Sequence, residues 1–141
     1  AIWTDRCGWT FYELDYNLLL AASKKFLGKH NFDAFRSSEC QAKSPIRTIK
    51  TVEVKKFNNF FLFTFVGDGF LHHQIRNMMA TIIKVGRGDM NLDYIDELFE
   101  KQNRHLVPAT FSPSGLYLAN IEYDRSFNLP DKKNHLNIFN K

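Results

Sequence analysis

A chain of 141 residues is long enough for one domain that buries about two-thirds of its unfolded surface, and 44% hydrophobic residues with 14 phenylalanines exclude a disordered or low-complexity chain. No apolar run approaches the roughly 20 residues of a membrane span, and no signal-peptide pattern opens the chain, so a soluble, cytoplasmic protein is expected. The net charge of +4 admits a polyanionic partner without requiring one, and the two cysteines, Cys7 and Cys40, are spaced for neither a disulfide framework nor a thiolate metal site.

Residues 1 to 14 carry Trp3, Trp9, Phe11, Tyr12 and Leu14 at mostly odd positions, which predicts an extended segment and then a turn. Asp5 in Thr4-Asp5-Arg6-Cys7-Gly8 reads as a surface carboxylate in that turn and not as a nucleophile. The abrupt Ala-Ile-Trp start suggests an excised fragment. Asp15 is a good N-cap, and Leu18, Leu19, Ala22, Phe26 and Leu27 follow at helical spacing before Gly28, a fitting C-cap residue.

Residues 29 to 45 show no period and are expected to form a long irregular loop. Ile46 to Lys56 alternates in part, Phe57-Asn58-Asn59 supplies a turn, and Phe60 to Val66 is nearly all apolar. This predicts a hairpin whose second strand is buried on both faces. After Gly67-Asp68-Gly69 the period becomes helical, with Leu71, Ile75, Met78, Met79, Ile82, Ile83 and Val85 on one wide face up to Gly86. Asn91 or Leu92-Asp93 starts a short third helix carrying Ile95, Leu98 and Phe99. Gly115 to Tyr123 alternates as a last strand, and residues 124–141 form a polar, partly ordered tail behind a domain of residues 1–123. The fold class expected is α+β, a small, mainly antiparallel sheet with helices packed on one face.

His72 and His73 precede Arg76 at the expected helix start, where either could share a face with the arginine. One reading makes this a positively charged helix end that faces a carboxylate or phosphate. The other has a histidine capping or packing and the arginine in solvent. No metal site is expected, because adjacent histidines diverge by about 100° on a helix and no third ligand is placed. Arg36, Lys43, Arg47, Lys50, Lys55 and Lys56 interleave with Phe32, Phe35 and Phe57. That is a pattern suited to unpaired RNA bases, unless the rings are core and the charges ordinary.

Four stretches in order resemble TruA-type tRNA pseudouridine synthases. Phe70-Leu71-His72-His73-x-x-Arg76-Asn77 resembles their active-site helix motif, Asn31-Phe32-Asp33-Ala34-Phe35-Arg36 their Asp-Phe-x-x-Phe-Arg element, Ser44-Pro45-Ile46-Arg47-Thr48-Ile49 the start of the next strand, and Gly115-Leu116-Tyr117-Leu118 a strand near the carboxy terminus. The resemblance implies half of a pseudouridine synthase fold and an isomerase that converts uridine to pseudouridine in the tRNA anticodon arm. It works without metal or organic cofactor. The family's nucleophilic aspartate lies in a Gly-Arg-Thr-Asp-Ala-Gly type loop that does not occur here. The chain alone is therefore expected to be inactive, its partners being the amino-terminal half of the same enzyme, tRNA, and a second copy in a homodimer.

Matched position by position, Arg76 implies the arginine that pairs with the nucleophile, and Leu116 the leucine that contacts the target base. Phe70 and Tyr117 are expected to add to the base pocket with His72 and His73, while Arg36, Lys43 and Arg47 are expected to meet RNA phosphates. Gln74 departs from the family's usual apolar residue and is expected to alter packing or an RNA contact. The alternative function is a stand-alone, non-catalytic RNA-binding module.

Overall fold

A computed structural model describes residues 5–121. The Asp15 carboxylate accepts from the Leu18 N–H at 3.1 Å and opens α1, Tyr16–Lys24, whose buried Leu19, Ala22 and Ser23 fall at helical spacing. The helix ends earlier than its apolar pattern suggests. Tight bonds from Phe26 N–H to Ser23 O and Leu27 N–H to Lys24 O close its last turn.

The segment expected to be an irregular loop contains two elements. Gly28–Asn31 is β1, and Asp33–Phe35 is a 3-10 turn. Gly-Lys-His-Asn offers no apolar alternation to read, because β1 is held by backbone pairing, Gly28 opposite Ile49 through Asn31 opposite Ile46. Its partner is β2, Ile46–Phe57, which turns through Asn58 at φ 50° into β3, Phe60–Gly67. The sheet is antiparallel in the order β1-β2-β3, with an irregularity between Ile49 and Thr51.

Val52 opposite Phe65 and Val54 opposite Phe63 form the face packed on the core. Thr64 and Val66 on the other face are exposed, Val66 by 44%, so β3 is not buried on both faces. An apolar run reports strand propensity; coverage depends on neighbours, and the helices cover one face only.

Next comes α2, Gln74–Gly86, which buries Met78, Ile82 and Val85. It begins three residues later than the sequence suggests. The third helix, α3, Tyr94–Lys101, follows Asp93 as expected and buries Ile95 and Leu98. Gln102 at φ 51° ends it, and its side chain donates to Asn31 O at 2.9 Å and accepts from Ala34 N–H at 3.2 Å. A second 3-10 turn spans Arg104–Leu106.

Phe26, Phe32, Phe35 and Phe99 form one ring cluster, with centroids 5.2 Å apart for Phe26 and Phe35 and for Phe35 and Phe99. Phe32 and Phe35 are fully buried there, which removes them as base-stacking candidates and leaves Phe57, 42% exposed.

Residues 115–121, expected as part of a last strand, join no ladder among the described residues. Alternation sets which way side chains point, but a strand also needs an edge to pair with. The remainder of that strand and the tail at 124–141 lie outside the described residues. At the other end, residues 5 to 14 form a turn and bends with no strand, and Asp5 is exposed at φ 64°, a surface residue as expected. Cys7 and Cys40 are in no disulfide.

Candidate active site

The chain leaves β3 through Gly67-Asp68-Gly69. A Cβ at Gly67 would lie 2.8 Å from Thr48 O, and the Asp68 carboxylate accepts from the Thr48 N–H at 2.9 Å, so this turn is fixed to β2. Phe70 then projects, 42% exposed, while Leu71 turns inward. The Gln74 side chain reaches back to accept from the Leu71 N–H at 2.9 Å and is itself fully buried. Gln74 is thus a cap that satisfies a donor at the helix start, and no part of it is available to RNA.

His73 sits at φ 63°, in the left-handed region, immediately before the helix. That reversal stacks the His72 and His73 rings at 4.0 Å and 28°. Neither histidine therefore shares a helical face with Arg76, and the rings do not diverge by a helical step; the positive φ, not helical geometry, sets them. The His72 carbonyl accepts from Ser37 N–H at 2.9 Å, which joins this turn to the loop after the first 3-10 turn. Burial lowers the His73 pKa, His72, Arg76 and Arg104 lower it further, and Glu39 opposes them. A neutral imidazole is favoured.

Arg76 lies in the first turn of α2 and is partly buried. Its Nε donates to the Phe111 carbonyl at 2.7 Å, and Phe111 N–H returns to the Arg76 carbonyl at 3.3 Å. No carboxylate among the described residues pairs with it. A guanidinium held by its Nε keeps a two-pronged end that suits a carboxylate or phosphate.

Asn77, next to it, is fully buried. Its Nδ2 donates to Phe35 O at 2.7 Å, and its Oδ1 accepts from Arg104 at 3.0 Å and from the Thr110 hydroxyl at 2.8 Å. Sequence reasoning assigned no role to Asn77, Arg104 or Thr110. The available signal was the repeated polar residue, Gln74, Asn77 and Thr81, on the otherwise apolar stripe of α2.

The Arg36 Nε pairs with the Asp33 carboxylate at 2.8 Å, and its NH1 donates to Ala42 O at 3.1 Å. Together with Ser37, Ser38, Cys40 and Arg104 these two residues line an open pocket of about 260 Å³. Backbone N–H groups of Ala42 and His72, and the Arg36 charge, lower the Cys40 pKa. Arg47 donates to the carbonyls of Ser44 and Ile46 at 3.0 and 2.9 Å, and Lys43 is exposed.

Gly115, at φ 86°, packs so closely on the amino-terminal segment that a Cβ would lie 2.7 Å from Cys7 Cα. Leu116 beyond it is 50% exposed, and Tyr117 donates its hydroxyl to Arg6 O at 2.6 Å. His72, His73 and Arg76 are brought together at the start of α2. Among the described residues no hydrogen bond or ring contact joins Leu116, Tyr117 or Phe70 to Arg76. Nor, among the described residues, do three His, Cys, Asp or Glu side chains converge on a point that could hold a metal.

A family model described as tRNA pseudouridine synthase matches residues 22–124. The tRNA pseudouridine synthase A of Bordetella avium is 40% identical over 131 residues, 93% of this chain and 49% of the relative. That of Nitrosomonas eutropha is 42% identical over 130 residues, 92% and 47%, and that of Methylobacillus flagellatus 41% identical over 138 residues, 98% and 53%. The chain spans about half the length of these relatives.

Proposed function

The chain belongs to the tRNA pseudouridine synthase family, and from that premise we propose that it supplies one wall of an active site that isomerises uridine to pseudouridine in the tRNA anticodon arm. The other half of the fold brings the nucleophilic aspartate. The observation that carries this reading is Arg76, fixed through Nε to the Phe111 carbonyl while the rest of its fork lacks a carboxylate among the described residues. A bidentate pair with the incoming aspartate would keep that carboxylate ionised and aimed at neutral pH, which a nucleophile needs.

Uracil must leave its ribose carbon, rotate and return through a ring carbon, so the base has to be flipped out and held by an apolar surface. Leu116 and Phe70, half-exposed on this chain, are the residues for that wall. Tyr117 contributes its ring, its hydroxyl being engaged by Arg6. Neutral His73 and its neighbour His72 border the same pocket, and Arg36, Lys43 and Arg47 hold RNA phosphates. The enzyme acts in the cytoplasm as a homodimer, which light scattering of the full-length protein checks.

The test is tritium release from tRNA carrying 5-tritiated uridine. Full-length enzyme should turn over and this half alone should not, whereas a non-catalytic RNA-binding module would release nothing in either form. Arg76→Ala in the full-length protein should abolish nearly all release while leaving folding intact, and near-normal turnover would sink the assignment.

A further inference from the structure

Arg76 is oriented by a carbonyl that belongs to no helix or strand: Phe111 lies in a segment of irregular backbone after the second 3-10 turn. A carbonyl on such a segment makes a fixed acceptor only if something else holds the segment. Arg104 does so from four directions. Its NH1 donates to Val107 O at 3.0 Å and Pro108 O at 3.3 Å, and its NH2 donates to Thr110 Oγ1 at 3.1 Å and Asn77 Oδ1 at 3.0 Å.

Thr110 then donates its own proton to Asn77 Oδ1 at 2.8 Å. Asn77 is the residue after Arg76 on α2 and is anchored at its other end by Phe35 O. The residues on either side of the loop are thereby tied to the helix that carries the arginine they serve. The return bond from Phe111 N–H to Arg76 O, at 3.3 Å, is long and would not hold the segment alone.

We propose that Arg104 is a positioning residue for Arg76, fixing the 107–111 segment so that the Phe111 carbonyl aims the Arg76 guanidinium. The role rests on the assignment of Arg76 as the partner of the nucleophile. It also requires an arginine. A lysine ammonium is a single point of charge and cannot reach two carbonyls on one side and two side-chain oxygens on the other.

Full-length Arg104→Lys should fold, with a kcat for pseudouridine formation at least tenfold lower and a tRNA KM within twofold of the parent. The acid limb of the kcat profile should move to higher pH, because a carboxylate whose guanidinium partner is misaimed ionises less readily. Added to Arg76→Ala, the Arg104→Lys change should cost nothing further, since both act through one interaction. Thr110→Val, which keeps the Arg104 side chain but removes one of its four acceptors, should shift kcat the same way to a smaller extent.

An independent reading is the Arg76 Nε–H resonance in the full-length protein, which should be shifted and protected from exchange in the parent and should lose both in Arg104→Lys. Persistence of that resonance, an unchanged kcat, or a loss fully additive with Arg76→Ala overturns the positioning role. Should the resonance collapse while Arg76→Ala remains active, the positioning stands and the catalytic assignment of Arg76 fails.

Discussion

Asn77 donates through Nδ2 to the Phe35 carbonyl at 2.7 Å, so the residue after the candidate catalytic arginine is bonded to the backbone of a residue whose ring belongs to the phenylalanine core. Both residues are completely buried, and neither could leave its partner without stranding a polar group. The start of α2, the first 3-10 turn and the 104–110 segment therefore meet at one side chain. A shift of any one would be felt by the others.

Asn77→Leu should accordingly destabilise the protein by about 2–4 kcal/mol, since the Phe35 carbonyl, the Thr110 hydroxyl and one Arg104 amine all lose a buried partner. Urea unfolding measures this. A change below about 0.5 kcal/mol, the size typical of surface sites, would mean that water replaces the amide without penalty.

Gly86→Ala should also destabilise, for a steric reason. The new Cβ would run into Leu19 Cδ2 and lie 2.9 Å from Leu19 Cγ, where α1 crosses α2 and the Asp15 N–H bonds to Gly86 O at 3.0 Å. Overpacking of this kind costs about 1–3 kcal/mol. Leu19→Ala in the same protein should recover part of the loss, and strict additivity of the two changes in thermal unfolding would show that the contact is not the cause.

What the sequence made legible follows the kind of physics involved. Asp15, the Asn58 turn and the stripe of Met78, Ile82 and Val85 were readable because a cap, a turn and a helical face are local. Strand β1 was not, because a glycine and three polar residues are held by the backbone of β2 and not by their own pattern. Residues 115–121 alternate without pairing among the described residues, since pairing is a property of two segments. At the site, Arg76 stood out through its motif. Arg104 did not, because its partner Asn77 is 27 residues away and a lone arginine beside a proline loop resembles any surface arginine.

His73 gives stability a dependence on pH. With its folded pKa lowered below 6.5, chiefly by burial and then by His72, Arg76 and Arg104 against the pull of Glu39, His73 favours the fold only when neutral. Its contribution is complete above the unfolded value of 6.5 and is lost as pH falls through the lower folded value. Asparagine tolerates the left-handed backbone and does not titrate, so His73→Asn should lose less stability than the parent between pH 7.5 and 5. Urea midpoints in that range compare them, with carboxylate titrations common to both. Parallel curves would exclude His73 as the group responsible.

The three basic residues assigned to RNA phosphates should not contribute equally. Arg36 already faces Asp33 at 2.8 Å and braces the loop by bonding Ala42 O, so much of its charge is neutralised within the protein. Among the described residues Arg47 bonds carbonyls alone, of Ser44 and Ile46, and these orient a guanidinium without cancelling its charge. Lys43 is exposed between them in sequence. In full-length protein, Lys43→Ala and Arg47→Ala should each lower the slope of log tRNA affinity against log salt by about one, as loss of a phosphate contact does. Arg36→Ala should lower it by clearly less, and should instead loosen residues 36–42, seen as faster amide exchange at Ala42 and Ser37. If Arg36→Ala gives the largest change in slope, the Asp33 pair opens on binding and the order assigned here is wrong.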